Sequence, residues 1–248
     1  MATTTTHLDR LNAPQRKAVT HGEALPEKGY RAGPLLIVAG AGTGKTDTLA
    51  HRVAHLVING VDPARILMLT FTRRAALEMR RRAHEITRRA LEDTLGGATQ
   101  IAQRLSWAGT FHSIGNRLLR HYAAHVRLDP HFSVIDRGDA GDLMDSLREE
   151  LGFAEKAQRF PRKDTCLAIY SNRVNTRAPL QEVLEQHYPW CAQWQEQLTR
   201  LYRAYVEQKQ HASLLDYDDL LLYWHGMMAE PRLAQHISAH FDHVLVDE

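Results

Sequence analysis

The sequence lacks the features that mark a membrane protein or a secreted one. Its 248 residues contain two cysteines, Cys166 and Cys191, which lie far apart and without a CxxC pattern. That usage predicts reduced thiols rather than a disulfide or a zinc site. No apolar run approaches the roughly 20 residues that cross a bilayer, and residues 1–10 lack the basic and apolar segments of a secretory signal. We therefore predict a cytoplasmic protein without a membrane anchor.

An excess of charge of one sign is also missing. Lys and Arg number 31 against 29 Asp and Glu, a formal net charge of +2. A surface for nucleic acid would therefore have to come from local clustering of basic residues. Hydrophobic residues make up 44% of the chain, enough to bury the core of one or two globular domains.

Short apolar runs alternate with helical patterns in the first 110 residues. Residues 35–39 and 66–71 are continuous apolar runs, typical of strands buried on both faces. A helix is predicted between them over residues 45–59, and Arg73–Leu91 repeats apolar residues at spacings of three and four. A third strand is predicted over residues 107–110. Strand, helix and strand at this spacing predict a βαβ unit with a parallel sheet.

The pattern changes in the second half of the chain. From about residue 113 to residue 212 it is mostly helical, with no run typical of a central strand. This predicts a separate helical domain inserted into an α/β domain formed by residues 1–112 and 213–248. Asn12 and Asp216 are predicted N-caps of helices, and residues 243–248 predict a final buried strand with two acids at its tip.

A glycine-rich segment lies between the first predicted strand and the helix after it. Its glycines let successive backbone N–H groups turn toward phosphate oxygens at a helix N-terminus. Lys45 would reach the β- and γ-phosphates, and the Thr46 hydroxyl would hold Mg²⁺. This Walker A pattern predicts a phosphate-loop NTPase without choosing among kinases, GTPases, transporter ATPases and motors. The segment comprises Ala39, Gly40, Ala41, Gly42, Thr43, Gly44, Lys45 and Thr46.

Two acids end the final predicted strand. A phosphate-loop ATPase needs an aspartate near its metal and a carboxylate that polarises the attacking water. We assign the first role to Asp247 and the second, general base, to Glu248. The pair favours ATP hydrolysis over nucleoside-monophosphate kinase chemistry.

Four further segments occur in a fixed order: residues 11–19, 70–79, 109–113 and 216–221. They resemble the Q motif, motif Ia, motif Ib and the acidic-aromatic helix start before motif II of UvrD/Rep/PcrA-like superfamily 1 DNA helicases. The joint resemblance covers the whole chain and is more specific than any one motif. Two departures stand out: Arg73-Arg74 replaces the usual Asn-Lys, and Asp47 replaces an arginine that many members place near the adenine.

The resemblance assigns further site residues. It implies that Gln15 reads the adenine edge, for which a side-chain amide is suited. It also implies contact of motifs Ia and Ib with single-stranded DNA, where a base stacked on Phe71 would contribute about 1–3 kcal/mol without sequence preference and hydroxyls would bind phosphates. The implied DNA-binding residues are Thr70, Phe71, Thr72, Arg73, Arg74, Thr110, Phe111 and His112.

Composition alone favours simpler interpretations of two of these features. Phe71 could be a core aromatic residue. The heptad-spaced Arg74, Arg81 and Arg88 could form a solvated face balanced by Glu78, Glu85 and Glu92. We favour the solvated face for most of that stripe, and keep Arg73 and Arg74 as DNA candidates.

The resemblance implies a fold and an activity. The fold is α/β: a RecA-like P-loop NTPase parallel sheet with an inserted all-helical domain. The activity is ATP- and Mg²⁺-dependent 3′-to-5′ movement on single-stranded DNA, with the inserted domain at single-strand/duplex junctions. The family continues beyond the position of Glu248 into a second RecA-like domain with arginine fingers, each worth about 10³–10⁵ in rate, so we expect the 248 residues alone to hydrolyse ATP poorly.

Two other functions stay open. The parent protein could be the motor of a helicase–nuclease complex, although those relatives tend to have Leu-His where this chain has Phe111-His112. Alternatively, the chain could be a truncated, non-catalytic module that binds ATP or DNA.

Overall fold

The computed structural model describes residues 7–27, 29–91, 105–154 and 159–247. In these ranges short 3₁₀ turns cover Pro63–Arg65, Ala123–Val126 and Pro189–Trp194. The strands are β1 (Glu23–Ala24), β2 (Tyr30–Arg31), β3 (Ile66–Thr70), β4 (Ala108–Thr110), β5 (Ser133–Val134), β6 (Leu214–Leu215) and β7 (His243–Asp247). The helices are α1 (Ala13–Val19), α2 (Lys45–Ile58), α3 (Arg73–Leu91), α4 (Phe111–His121), α5 (Arg137–Glu150), α6 (Lys163–Thr176), α7 (Leu180–His187), α8 (Gln195–His211), α9 (Tyr217–Ala229) and α10 (Pro231–Ser238).

The chain divides into two compact units, one made of Met1–Ile114 with Ala234–Glu248 and the other of Gly115–Leu233. The first unit is built on a three-stranded parallel sheet with the order β4-β3-β7. The strand predicted over residues 66–71 forms as β3: all five of its residues are buried, but it ends at Thr70, before the exposed Phe71. The register places Thr70 opposite both Thr110 and Asp247, so the three strands end side by side at one edge of the sheet.

Local sequence signals set the helices of this unit. Asn12 caps α1 in a capping box with Gln15, with proline in the first turn, so the predicted N-cap is confirmed. The apolar stripe of α3 gives a helix with the predicted bounds, Arg73–Leu91. Val53 and Leu56 of α2 and Met79 and Ala83 of α3 have no exposed surface and belong to one hydrophobic core with β3.

The prediction of a buried strand over residues 35–39 is wrong. The segment has no strand assignment, and Leu36 and Val38 are 86% and 87% exposed. It borders a cleft of about 470 Å³ whose other side is β7. Within the described ranges β7 pairs with β3 alone, and an apolar run becomes a strand only where a neighbour satisfies its N–H and C=O groups. For the same reason the last strand forms as predicted but is not buried on both faces, since Val244 and Val246 are 59% and 48% exposed.

The segment between α1 and residues 35–39 contains a short ribbon. Within it, β1 and β2 pair in antiparallel fashion, Glu23 opposite Arg31. The short ribbon places Tyr30 in the core of the first unit, where it is 9% exposed.

The second unit is mainly helical but not entirely so. Its β5 and β6, two residues each, pair in parallel with Ser133 opposite Leu214. The pair departs from the all-helical pattern that the sequence predicts, because two-residue strands are too short to leave a periodic signal. Its core includes Met144, Ile169, Tyr202 and Tyr205.

Cys166 and Cys191 are both buried free thiols, and burial raises the pKa of Cys166 to about 12. In the part of the chain that the structure describes, no helix is both long enough and apolar enough to span a bilayer.

Candidate nucleotide and nucleic-acid site

The glycine-rich loop turns directly into α2. Gly42 and Gly44 have φ angles of 74° and 84°, in the left-handed region that favours glycine. Gly44 is the N-cap residue of α2 and supplies no side-chain hydrogen bond to the first turn. The amide groups at this helix start are therefore left to an external acceptor, which is the arrangement that phosphate binding uses.

Lys45 and Thr43 fold back onto the same loop. Lys45 Nζ donates to the carbonyl oxygens of Ala39 and Gly40 at 2.7 and 2.8 Å, and Thr43 Oγ1 donates to the Gly40 carbonyl at 2.8 Å. These bonds hold the ammonium group against the loop. A bound phosphate would replace the neutral carbonyl acceptors of Lys45 with anionic oxygens.

The hydroxyl of Thr46 meets the acid at the end of β7. Thr46 Oγ1 donates to Asp247 Oδ2 at 2.9 Å, across 201 positions of sequence. Hydroxyl and carboxylate oxygens are ligands that Mg²⁺ accepts, and Mg²⁺ is commonly held by one or two carboxylates together with substrate phosphates. The residues present therefore fit a magnesium ion shared with a nucleotide. Glu248, the predicted general base, lies outside the described residues, as does Glu92.

Gln15 contacts the phosphate loop directly. Its Oε1 accepts from the Asn12 amide at 3.1 Å, and its Nε2 donates to the Thr43 carbonyl at 3.1 Å. A Cβ at Gly44 would lie 3.0 Å from that Nε2 atom. The Q-motif helix and the phosphate loop thus form one structure, with the glutamine amide between them.

A buried arginine that the sequence did not single out holds the other end of α1. Arg52 of α2 donates to the Val19 carbonyl at 2.7 Å, and its guanidinium lies 4.9 Å from the centre of the Tyr30 ring. Tyr30 in turn donates to the Thr20 carbonyl at 2.8 Å. Burial lowers the pKa of Arg52 from its usual value. The sequence does contain a signal for this residue: Arg52 lies on the apolar side of the helix predicted over residues 45–59, and a buried arginine needs a partner.

Asp47, the departure from the family pattern, has basic neighbours. Its carboxylate lies 3.4 Å from Arg82 and 3.7 Å from His51. Arg82 also donates to Glu78 at 2.6 Å. The acid in the first turn of α2 therefore places a guanidinium of α3 close to the loop.

The motif Ia residues occupy the carboxyl end of β3 and the start of α3. Phe71 is 70% exposed, so it is not a core residue. Thr70 is buried, with its hydroxyl donating to the Thr72 carbonyl at 2.9 Å. Thr72 Oγ1 accepts from the Ala75 amide at 3.1 Å and caps α3. Arg73 and Arg74 are exposed.

The motif Ib residues lie one strand away. Thr110 ends β4 and is 8% exposed, with its hydroxyl donating to Ser113 Oγ at 3.2 Å and accepting from the Ser113 amide. Phe111 and His112 follow in the first turn of α4 and are partly exposed. The sheet register therefore places the ends of motif Ib, motif Ia and the strand of Asp247 next to one another.

The other acidic motif is a helix start. Asp216 and Asp219 form the capping box of α9, as the sequence predicts for helix-cap acids. Both accept from the buried Lys209, at 2.6 and 2.5 Å, and Tyr205 donates to Asp216 at 2.9 Å. Sequence reasoning missed this lysine. Across the part of the chain that the structure describes, no group of three or more His, Cys, Asp or Glu side chains could hold a metal.

Comparisons with known proteins agree with the motif order. Residues 11–248 match the family model described as UvrD/REP helicase N-terminal domain. The chain is 33% identical over 243 residues to DNA helicase II of Escherichia coli (strain K12), covering 97% of this chain and 30% of that protein. It is 34% identical over 244 residues to ATP-dependent DNA helicase UvrD1 of Mycobacterium leprae (strain TN), covering 97% and 28%.

A third relative is ATP-dependent DNA helicase PcrA of Leuconostoc citreum, 34% identical over 221 residues and covering 87% of this chain and 27% of that protein. The chain thus spans less than a third of the length of these relatives. Because the family model matches nearly all of it, the chain belongs to the UvrD/REP helicase N-terminal domain family.

Proposed function

We propose that this chain is the nucleotide-binding part of an ATP-dependent DNA helicase that moves 3′ to 5′ on single-stranded DNA. The observation that carries the proposal is the contact between Thr46 and Asp247, which joins the phosphate loop and the acidic strand end in one place. The UvrD, PcrA and DNA helicase II relatives support a DNA motor over the other phosphate-loop classes.

The loop from Ala39 to Thr46 would hold the phosphates of ATP. Backbone amides at the start of α2 bind phosphate oxygens, and Lys45 neutralises the β- and γ-phosphates. Thr46 and Asp247 would hold Mg²⁺, which neutralises developing charge on the transferred phosphoryl group. Glu248 follows Asp247 in sequence, and we assign it the role of orienting and deprotonating the attacking water.

Gln15 would recognise adenine without giving up its bonds to the chain. Its oxygen has a second lone pair and its nitrogen a second hydrogen beyond those used by Asn12 and Thr43. An adenine edge presents the complementary donor and acceptor side by side. Recognition of the base would thereby also fix the conformation of the phosphate loop.

Single-stranded DNA would lie along the carboxyl ends of β3 and β4. Phe71 offers an exposed ring for base stacking, and Arg73 and Arg74 offer charge to the phosphates. The Thr72 hydroxyl accepts from Ala75 and can donate its hydrogen to a phosphate, whereas Thr70 and Thr110 would have to exchange the bonds they now donate. Phe111 and His112 complete the proposed surface.

The remaining parts of the motor follow from the same assignment. We infer a RecA-like domain from residues 1–112 and 213–248, with residues 113–212 guiding DNA at single-strand/duplex junctions. Because the relatives are more than three times as long as the matched region, we also infer a second RecA-like domain that closes over the nucleotide. A cytoplasmic location is part of this proposal.

The test is steady-state ATP hydrolysis by the protein in its full natural length, with and without oligo-dT. We expect oligo-dT to stimulate hydrolysis strongly, and Lys45→Ala to abolish the stimulated rate. A rate indifferent to DNA, with ATP binding intact, would remove the DNA-motor assignment and leave another phosphate-loop ATPase class.

A further inference from the structure

The exposed side of α3 carries arginines without acidic partners. Arg73, Arg74 and Arg80 are all exposed. Within the described ranges none of the three forms an ion pair or a side-chain hydrogen bond. An unpaired guanidinium keeps its full charge and all five donors for an external anion.

The other arginines of the same helix are neutralised. Glu78 accepts from Arg81 at 3.0 Å and from Arg82 at 2.6 Å. Glu85 holds Arg88 and Arg89 in the same way, at 3.1 and 2.8 Å. Hydrogen bonds from Arg81 and Arg82 lower the pKa of Glu78 to about 2, so that carboxylate stays ionised at neutral pH. The structure thus confirms a balanced, solvated face for Arg81 and Arg88, and separates it from the unpaired arginines.

Two of the unpaired arginines share a stripe with an exposed leucine. Arg73, Leu77 and Arg80 are spaced by four and three residues, which places them on one helix face. At 1.5 Å per residue the stripe is about 10 Å long. Leu77 is 60% exposed, and Phe71, two residues before the helix, is 70% exposed. Along this helix face an exposed leucine thus lies between two unpaired arginines, and the exposed Phe71 precedes them in sequence; the four residues are called here the α3 stripe (Phe71, Arg73, Leu77 and Arg80).

We propose that Leu77 and Arg80 continue the single-stranded nucleic-acid surface from Phe71 and Arg73 along α3 for about two helical turns, with Arg80 binding a phosphate and Leu77 contacting a base. The proposal rests on the proposed function, because it takes Phe71 and Arg73 as the beginning of the same track. Alternating charge and exposed apolar groups fit a strand whose bases are unstacked. In a duplex the base faces are covered, and an acidic protein segment would leave Phe71 and Leu77 without matching groups.

The chain offers a matched control for the charge. Arg80→Ala and Arg81→Ala each remove one positive charge from neighbouring positions of α3, but Arg81 is held by Glu78 and lies off the stripe. We would measure binding of fluorescent oligo-dT to the 248-residue chain by anisotropy between 25 and 200 mM salt. Arg80→Ala should weaken binding about three- to tenfold at low salt and reduce the salt slope by about 0.7, the contribution of one phosphate contact to a single strand.

Arg81→Ala should change neither the affinity for oligo-dT nor the salt slope. Leu77→Ala should weaken oligo-dT binding without changing the salt slope, and should not affect binding to a duplex of the same length.

Each result bears on the proposal. Equal weakening by Arg80→Ala and Arg81→Ala would mean that net charge alone acts, and would overturn it. Weakening by Phe71→Ala and Arg73→Ala but not by Arg80→Ala or Leu77→Ala would also overturn it, while leaving the proposed function in place. If polyglutamate displaces the fluorescent oligo-dT as well as unlabelled oligo-dT does, the α3 stripe binds an acidic protein segment instead, and the proposal is wrong. If Phe71→Ala, Arg73→Ala, Leu77→Ala and Arg80→Ala all bind oligo-dT as tightly as the wild type, both the α3 stripe and the assignment of motif Ia to DNA binding are wrong.

Discussion

Among single residues, Arg52 connects the two elements that would hold ATP. Its buried guanidinium donates to the last carbonyl of α1 from the middle of α2 and lies against Tyr30. Gln15 lies one turn from that carbonyl and contacts the phosphate loop. Under the proposed function, Arg52 would therefore be a positioning residue, which affects adenine recognition through α1 and has no contact with the nucleotide itself.

Arg52→Ala should lower the free energy of unfolding by about 1–3 kcal/mol, because it leaves a buried carbonyl without its charged donor. It should also weaken binding of ATP more than binding of tripolyphosphate, which lacks the base that we propose Gln15 recognises. Arg52→Lys keeps a cationic donor, so its losses of unfolding free energy and of ATP affinity should both be smaller. Urea unfolding and calorimetric titration measure the two effects. Equal losses for ATP and tripolyphosphate would show a general structural role instead.

Among the elements, residues 35–38 show how far a strand depends on its neighbours. The run is as apolar as β3, yet β3 is buried between β4 and β7, whereas residues 35–38 face a cleft and water. The hydrophobic pattern alone does not distinguish these two cases, because it does not show which neighbouring strand would bond the backbone N–H and C=O groups.

Lysine substitutions at Leu36 and Val38 test that difference in the 248-residue chain. Both side chains are more than four-fifths exposed, so each change should alter the free energy of unfolding by no more than about 0.5 kcal/mol. Met68→Lys in the buried β3 provides the contrasting case and should prevent stable folding. A loss above about 2 kcal/mol at Leu36 or Val38 in urea unfolding would show that the segment is a buried strand after all.

The junction of α8 and α9 contains a buried ionic cluster. Lys209 is shared by Asp216 and Asp219, and Tyr205 donates to Asp216. Burial raises the pKa of Asp219 to about 6, from 3.8, because one shared ammonium does not offset the lost hydration of two carboxylates. The same two carboxylates raise the pKa of Lys209 despite its burial, so the lysine stays charged.

This cluster makes stability depend on pH in a defined direction. Between about pH 4 and 6 the folded protein holds a proton on Asp219 that the unfolded chain has lost. The contribution of Asp219 to the free energy of unfolding is therefore present below pH 4 and decreases as pH rises through 6. Asp219→Asn should remove that decrease in urea unfolding, whereas Asp218→Asn, the partly exposed neighbour, should keep it. A decrease that persists in Asp219→Asn would assign it to another group.

For the whole molecule, local patterns predicted most of the elements that carry the proposed site, whereas contacts between residues distant in sequence were not predictable. The phosphate loop, Asp247 and the bounds of α3 are each encoded within a few turns of chain, so they could be recognised directly. The roles of Arg52 and Lys209 could not be predicted, because each residue meets its partner only after folding. Arg52 meets a backbone carbonyl, and Lys209 meets a pair of capping acids. The exposure of Phe71 was similarly invisible, since an aromatic residue after a buried strand suits a core as well as a surface.

At this scale the chain divides into two compact units, and each unit has its own hydrophobic core. The residues that we propose bind the nucleotide, from Gln15 to Asp247, all belong to the unit formed by both ends of the chain. A net charge of only +2 is compatible with a nucleic-acid surface because the acids of α3 are concentrated on one side of that helix.

The most direct test of a shared magnesium and phosphate site is the Mg²⁺ dependence of ATP binding to the 248-residue chain, measured by calorimetry for the wild type, Asp247→Asn and Lys45→Ala. Asparagine can still accept from the Thr46 hydroxyl but lacks the negative charge that would hold the metal. We predict that Mg²⁺ strengthens ATP binding at least about tenfold in the wild type and hardly at all in Asp247→Asn, and that Lys45→Ala loses ATP binding with or without Mg²⁺. An unchanged Mg²⁺ effect in Asp247→Asn would contradict the assignment of Thr46 and Asp247 to one metal site.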